Sequence, residues 1–288
     1  MIIDKLSAQK MMPLRENDSH KGTYGTVLII GGSLNMPGAL CLAALGALRS
    51  GPGLVKAAFP DVIYNAVTAH LTETVFLPLP ANENGMLSSR CLSALERETG
   101  NASAVVIGCG MGISADTVQI TQYVIETVAC PVIIDADALN CVSKKPDMLS
   151  NTAAKLILTP HPGEMARLIR RDTAFINKNR ENVAKEFAQR YGVTLLLKGY
   201  KTVIANKNGD VRTNITGNSG LAKGGSGDLL SGIMGALAAN INEFDAAALA
   251  AYLHGLAADY AAKEHTEFCV TPTVCADYLS KAFKSLII

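Results

Sequence analysis

The stretch Asn218-Ser219-Gly220-Leu221-Ala222-Lys223-Gly224-Gly225-Ser226-Gly227-Asp228 sets four glycines and one carboxylate directly before an apolar run. In that run Leu229, Leu230, Ile233, Met234 and Leu237 recur at helical spacing, and Gly232 and Gly235 leave room for close packing against a neighbour. Glycine tolerates positive φ and lets a ligand approach backbone N–H groups, and the following helix adds the positive end of its dipole. The stretch therefore predicts an anion hole built from Gly225, Ser226 and Gly227, with phosphate as its guest. A simple phosphate cradle has no use for Asp228, because a carboxylate repels phosphates unless it takes up a proton or meets a metal. Phosphoryl transfer to a hydroxyl, with Asp228 as the base, accounts for the pairing; an Asp that merely caps a helix accounts for the carboxylate alone. No Gly-Lys dipeptide occurs, so there is no Walker A loop, and residues 225–232 miss the G-x-G-x-x-G spacing.

Upstream, Thr202–Ala205 and Val211–Ile215 flank Lys207-Asn208-Gly209-Asp210 and read as a β-hairpin, since Asn-Gly favours a tight turn. Before it, short Val/Ile-rich runs alternate with longer Ala/Leu-rich helical runs, the pattern of parallel strands joined by crossover helices. Strands are predicted at Val27–Ile30, Leu54–Phe59, Val105–Ile107, Val132–Ile134, Leu156–Leu158 and Val193–Leu197, each nearly continuously apolar as buried parallel strands are. No linker, repeat or low-complexity tract interrupts the pattern, so residues 1–288 read as one α/β domain with a mostly parallel central sheet.

Ligands bind beyond the carboxyl ends of strands in such a sheet, and four ends carry Gly or polar clusters. These are Gly31-Gly32-Ser33 with Met36-Pro37-Gly38-Ala39, Gly108-Cys109-Gly110-Met111-Gly112, Asp135-Ala136-Asp137, and Thr159-Pro160-His161-Pro162-Gly163-Glu164. Singly, Gly31 and Gly32 read as the turn from a strand into a helix, and Asp135 and Asp137 as capping or turn residues. His161, held between two prolines in a stiff loop, reads as a ligand contact, whereas Glu164 near a helix start is stabilising there in any case. Lys198-Gly199-Tyr200-Lys201-Thr202 closes a strand with two cations and hydroxyls, a nucleotide contact or a solvated bend.

Composition narrows the partners. A net charge of +1, no Trp and no clustered Lys/Arg tract argue against nucleic acid. Seven cysteines without a C-x-x-C pair read as reduced, buried thiols of a cytoplasmic protein, and five scattered histidines offer no zinc spacing. The N-terminus is polar and mixed in charge, unlike a signal peptide, and the longest apolar run, Gly38–Leu48, is too short to span a membrane.

Taken in order, Gly25–Ser33, Pro37–Ala39, Ala47–Val55, Asp135–Asn140, Thr159–Arg167, Leu197–Gly199 and Asn218–Asp228 resemble the ADP/ATP-dependent NAD(P)H-hydrate dehydratases of the ribokinase-like superfamily. The Gly-Ser-Gly-Asp element alone resembles any ribokinase-like enzyme; Thr-Pro-His-Pro-Gly-Glu together with Asp-Ala-Asp-Ala-Leu-Asn is specific to the dehydratases. The resemblance implies a three-layer α/β/α fold and a repair reaction, the return of (6S)-hydrated NADH or NADPH to the reduced cofactor with ADP or ATP and Mg²⁺. By position it implies dinucleotide contacts at Ala39, Gly110, Gly112, His161 and Asp228. Adenine-nucleotide contacts fall at Lys198, Gly199, Tyr200, Lys201, Thr202 and Gly227, with Asp228 catalytic. It also implies a homo-oligomer, up to a tetramer, and an epimerase supplied by a separate protein. Two departures bear on fine specificity: Lys223, where the family often has a small or hydroxyl residue, and Cys109, where the family commonly has Gly-Pro-Gly. The competing readings are a kinase of a small hydroxyalkyl heterocycle, which the Pro-His-Pro-Gly-Glu loop opposes, and an idle nucleotide sensor, which Asp228 opposes.

Overall fold

The computed structural model describes residues 1–150, 152 and 154–287. Its frame is one ten-stranded sheet in the spatial order β1-β10-β9-β8-β7-β6-β5-β2-β3-β4. The strands are β1 (Ile2–Ile3), β2 (Thr26–Ile30), β3 (Leu54–Pro60), β4 (Val75–Leu79), β5 (Ala104–Ile107), β6 (Val132–Ile134), β7 (Leu156–Leu158), β8 (Thr194–Leu197), β9 (Val203–Ala205) and β10 (Val211–Asn214). Neighbours pair in parallel except around β9, which runs antiparallel to both β8 and β10 and is the first strand of the expected hairpin.

Because strand side chains alternate between faces, each apolar strand feeds two cores at once. Val27, Ile29, Val106, Ile133 and Ile157 belong to the core beneath the helices Pro37–Leu48, Ser226–Ala238 and Glu243–Cys269. Leu28, Ile30, Val105, Ile107 and Ile134 belong to the opposite core, with Ala115–Thr127, Ala136–Lys144, Pro162–Ile169 and Arg180–Tyr191. The result is the three-layer α/β/α arrangement that the sequence implies.

Two strands carry no usable signal. Strand β4 contains Pro78, which lacks the ladder donor and is tolerated at the sheet edge that β4 occupies. Strand β1 is two residues long and exists through its partner β10, more than 200 residues away, with Ile2 opposite Thr213.

Close helix packing sets the site's floor. A Cβ on Gly232 would lie 1.8 Å from the Ala43 carbonyl oxygen, and one on Gly46 would lie 2.2 Å from that of Leu229. Backbone thus meets backbone between the 37–48 and 226–238 helices, which any side chain at these glycines would prevent. All seven cysteines are free; Cys41, Cys91, Cys109, Cys141 and Cys275 are buried as expected, whereas Cys269 is exposed. Among the described residues no helix is long and apolar enough to cross a membrane.

Candidate active site

Strands β2, β5, β6, β7 and β8 stand side by side and point the same way, so the clusters that follow them converge along one sheet edge. At its centre is Asp135, only 1% exposed, immediately after β6. Its Oδ1 accepts from Lys198 Nζ at 2.6 Å and from Thr159 Oγ1 at 2.8 Å, and its Oδ2 accepts from Ser231 Oγ at 2.7 Å. Burial opposes the charge, but the Lys198 ammonium and these hydroxyls overcome it and hold the carboxyl below its ordinary range. Lys198 is likewise kept charged: burial works against the ammonium, and Asp135 and Glu164 outweigh it. The next residue, Ala136, takes a left-handed φ of 47°, a conformation uncommon without glycine.

Asp228 sits beside this pair, in the first turn of the 226–238 helix. Ligand atoms of Cys109, Asp135 and Asp228 all lie within 4.8 Å of one another. Burial, joined by the ionised Asp135, lifts the Asp228 carboxyl from 3.8 to about 7. The Cys109 thiol is pushed up as well, by burial and then by the two carboxylates, and so stays a neutral S–H. These three groups do not fit a resident Mg²⁺: a neutral thiol is a poor ligand for a hard cation, and both Asp135 oxygens already serve protein donors.

The anion loop has the conformation its glycines permit. Gly225 caps the helix with φ 92°, and a Cβ there would also lie 2.4 Å from Leu42 Cδ1. The Ser226 N–H donates to the Lys223 carbonyl at 3.3 Å, leaving the Gly227 and Asp228 N–H groups as first-turn donors without helical partners. Asp259 fastens the approach to the loop, accepting from the Gly217 N–H at 2.9 Å and from Asn218 Nδ2 at 3.0 Å. Lys223 accounts for itself structurally: its Nζ donates to the carbonyls of Glu267, Phe268 and Val270 at 3.1, 2.9 and 2.8 Å. The loop is thereby tied to the segment that follows the kink at Thr266 (φ 64°) in the 243–269 span.

His161 is the N-cap of the 162–169 helix. Its Nδ1 accepts from the Gly163 and Glu164 N–H groups at 3.0 and 3.3 Å, while Nε2 lies 3.3 Å from Glu164 Oε1. Such contacts specify a neutral ring protonated at Nε2, consistent with a pKa lowered by burial and then by Lys198 and Arg167. Its side chain remains 49% exposed and can still present an edge to a ligand. Glu164 returns the bond, accepting from the His161 N–H at 2.8 Å, and stands 3.8 Å from Lys198 Nζ. Burial raises Glu164 to about 7; Asp135 adds to the rise and Lys198 opposes it.

On the other flank, a Cβ on Gly110 would lie 2.7 Å from the Ala39 Cβ, so these two candidate contacts adjoin. The Gly112 N–H donates to Asp137 Oδ2 at 2.8 Å, and Asn140 Oδ1 accepts from Arg167 at 2.6 Å. Beside Asp135 opens a cavity of about 540 Å³ lined by Lys198, Gly199, Tyr200, Lys201 and Thr202 together with Ser226 and Gly227. The suspected nucleotide residues therefore share one hollow, with the anion loop in its wall.

A family model described as NAD(P)H-hydrate dehydratase matches residues 27–281. The chain belongs to that family. Among its relatives is an ADP-dependent (S)-NAD(P)H-hydrate dehydratase of Neisseria meningitidis, 39% identical over 250 residues, 85% of this chain and 80% of the relative. A bifunctional NAD(P)H-hydrate repair enzyme of Moorella thermoacetica is 39% identical over 279 residues, 96% of this chain. This chain spans 53% of that relative's length. Among solved structures, an ADP/ATP-dependent NAD(P)H-hydrate dehydratase of Bacillus subtilis, co-crystallised with ATP and Mg²⁺, superposes with a TM-score of 0.84 at 32% identity, covering 99% of this chain and 98% of that one. The ribokinase-like fold implied by the motifs is thus the fold of the family.

Against this family frame, the structure supplies residues that sequence reading passed over. Asp135 reads as a turn residue in isolation, yet it organises Lys198, Thr159 and Ser231. Its one signal is position: a carboxylate at the end of an apolar parallel strand is buried unless the strand end opens to a ligand. Ser231 has a weaker signal, a hydroxyl on the apolar face of the 226–238 helix, and Cys109 is distinguished only by its glycine neighbours.

Proposed function

We propose that this chain returns (6S)-hydrated NADH or NADPH to the reduced cofactor by phosphorylating the C6 hydroxyl and eliminating phosphate, with ADP favoured over ATP. The observation that carries the reading is Asp228: a carboxyl poised at about 7, in the first turn of the anion-loop helix, next to the nucleotide-sized hollow. A general base works best with its pKa near the working pH.

In this account Lys198, Gly199, Tyr200, Lys201, Thr202 and Gly227 hold the adenine nucleotide. Ala39, Gly110, Gly112 and His161 hold the hydrated dinucleotide. Asp228 takes the hydroxyl proton as the C6 oxygen forms its bond to the terminal phosphorus and the bridging P–O bond breaks, leaving AMP from ADP. Of the expected anion hole, the Ser226 N–H is taken by the Lys223 carbonyl, so the free Gly227 N–H, joined by that of Asp228, faces the charge on the phosphoryl oxygens. Hydroxide is a poor leaving group and phosphate a good one, so the ring nitrogen lone pair then expels phosphate from C6 with loss of a C5 proton. Mg²⁺, if it accompanies the nucleotide, would be held by the phosphates and not by Cys109, Asp135 or Asp228, and would offset phosphate charge. Lys198, locked to Asp135, contributes fixed positive potential at the phosphate end.

The enzyme is assigned to the cytoplasm, as a homo-oligomer whose work is linked to that of an epimerase. Incubating hydrated NADH with ADP or ATP and following absorbance at about 340 nm tests the reaction, since that band belongs to the restored dihydropyridine. Recovery that requires nucleotide and yields one AMP or ADP per cofactor is expected. Recovery without nucleotide, or a stable phosphorylated product, rejects the coupled reaction.

A further inference from the structure

His254 is an ionisable side chain that the proposed reaction leaves without a task. It lies in the middle of the apolar 243–269 helix, is only 6% exposed, and forms part of the wall of the 540 Å³ cavity. Its Nε2 is buried with no hydrogen-bond partner among the described residues. Burial lowers its pKa to about 4, so the ring is neutral at working pH and carries one N–H donor and one lone pair. An unpaired buried polar group destabilises a fold, and native structures retain few of them. Away from Lys198 and Lys201 the same lining holds Leu221, Leu230, Ala251 and Gly255 with the neutral Asn214 and Thr216, and no charged side chain. Lys198 and Gly227, with the helix start, form the anion-binding part of the same cavity. A wall of this kind suits the uncharged half of a nucleotide: apolar surface for a flat heterocycle and one neutral group to read its edge.

We propose that His254 is a specificity-determining residue that hydrogen-bonds the purine base of the adenine nucleotide. Adenine offers ring-nitrogen acceptors and an amino donor, either of which satisfies a neutral imidazole, whereas a phosphate finds no charge here to pair with. The inference rests on the nucleotide-dependent reading of this cavity but concerns binding alone.

The test compares His254→Leu and His254→Gln with the wild-type chain by calorimetric titration of two probes, ADP and inorganic pyrophosphate, in Mg²⁺. His254→Leu is expected to weaken ADP roughly 10-fold, the worth of one buried hydrogen bond, and to leave pyrophosphate within about twofold. Its ligand-free Tm should equal or exceed that of the wild type, because the orphaned nitrogen is gone. His254→Gln, which keeps a donor and an acceptor, should lose less than His254→Leu. Unchanged ADP affinity in both variants, or equal loss of ADP and pyrophosphate, overturns the proposal, as does failure of the wild-type chain to bind ADP. If His254→Leu does not fold, the ratio of ADP to pyrophosphate affinity in His254→Gln decides: a fall supports the contact and no change overturns it. Should the wild type bind ADP in a His254-dependent way yet restore no NADH, the reaction fails and the contact stands.

Discussion

With its carboxyl held at about 7, Asp228 changes charge across the range where a cofactor-repair enzyme would work. If it is the base, kcat/KM rises with pH through about 7 and then levels, and Asp228→Asn removes that limb. Turnover should fall at least roughly 10²-fold while nucleotide affinity is unchanged or improved, since Asn keeps the side chain's size and relieves repulsion with phosphate. Near-normal turnover would leave the loop as a binding element only. The same shift has a stability sign. The folded state favours the protonated carboxyl, so stability declines as pH rises from about 4 to about 7 and then stays level. Asp228→Asn should therefore change Tm little at pH near 4 and raise it at pH near 8, by the equivalent of about 2 kcal/mol after allowing for partial solvation. A gain confined to acid would contradict the burial account. Asp135 behaves oppositely: Asp135→Ala strands the Lys198 ammonium, and denaturant unfolding should show a loss of about 3–5 kcal/mol. Loss below about 1 kcal/mol would mean that Lys198 finds water or another partner.

Among the elements, the glycine loop and its helix were legible from residue types, because glycines directly before an apolar helical run mark a tight helix entry. Gly225→Ala tests that reading: the φ of 92° and the approach of Leu42 make the change cost about 1–3 kcal/mol. It should also weaken ADP, as the first-turn N–H groups shift; stability and affinity near wild type would deny Gly225 its conformational role. The six strands predicted from continuous apolar runs are all present, with ends shifted by a residue or so. The two missed strands failed for stated causes, Pro78 in β4 and the two-residue length of β1. At His161 the sequence suggested a ligand contact but not the capping box with Glu164, because histidine is an unusual N-cap and its ring must turn back on its own helix to serve.

For the molecule as a whole, the parallel direction of most strands was readable, and with it the sheet edge where the Gly and polar clusters gather; the spatial order of the strands was not. Nor were the side chains that would meet there. Asp135 and Lys198 are 63 residues apart in the chain, and Asp135 and Ser231 are 96 apart. Spacing within a motif carries no trace of such pairs; they exist because β6, β7 and β8 adjoin and the 226–238 helix packs against β5 and β6. The same assembly places Asp228, the glycine loop and the 540 Å³ cavity in one region, and the proposed dehydration on a kinase fold rests on that juxtaposition. That claim is tested most directly by following the oxygen. Hydrated NADH carrying heavy oxygen at the C6 hydroxyl is incubated with unlabelled ADP and the released inorganic phosphate is weighed by mass spectrometry. Transfer of the label into phosphate, one heavy oxygen per NADH restored, is the predicted result; unlabelled phosphate with the heavy oxygen in water would contradict phosphorylation of the hydroxyl.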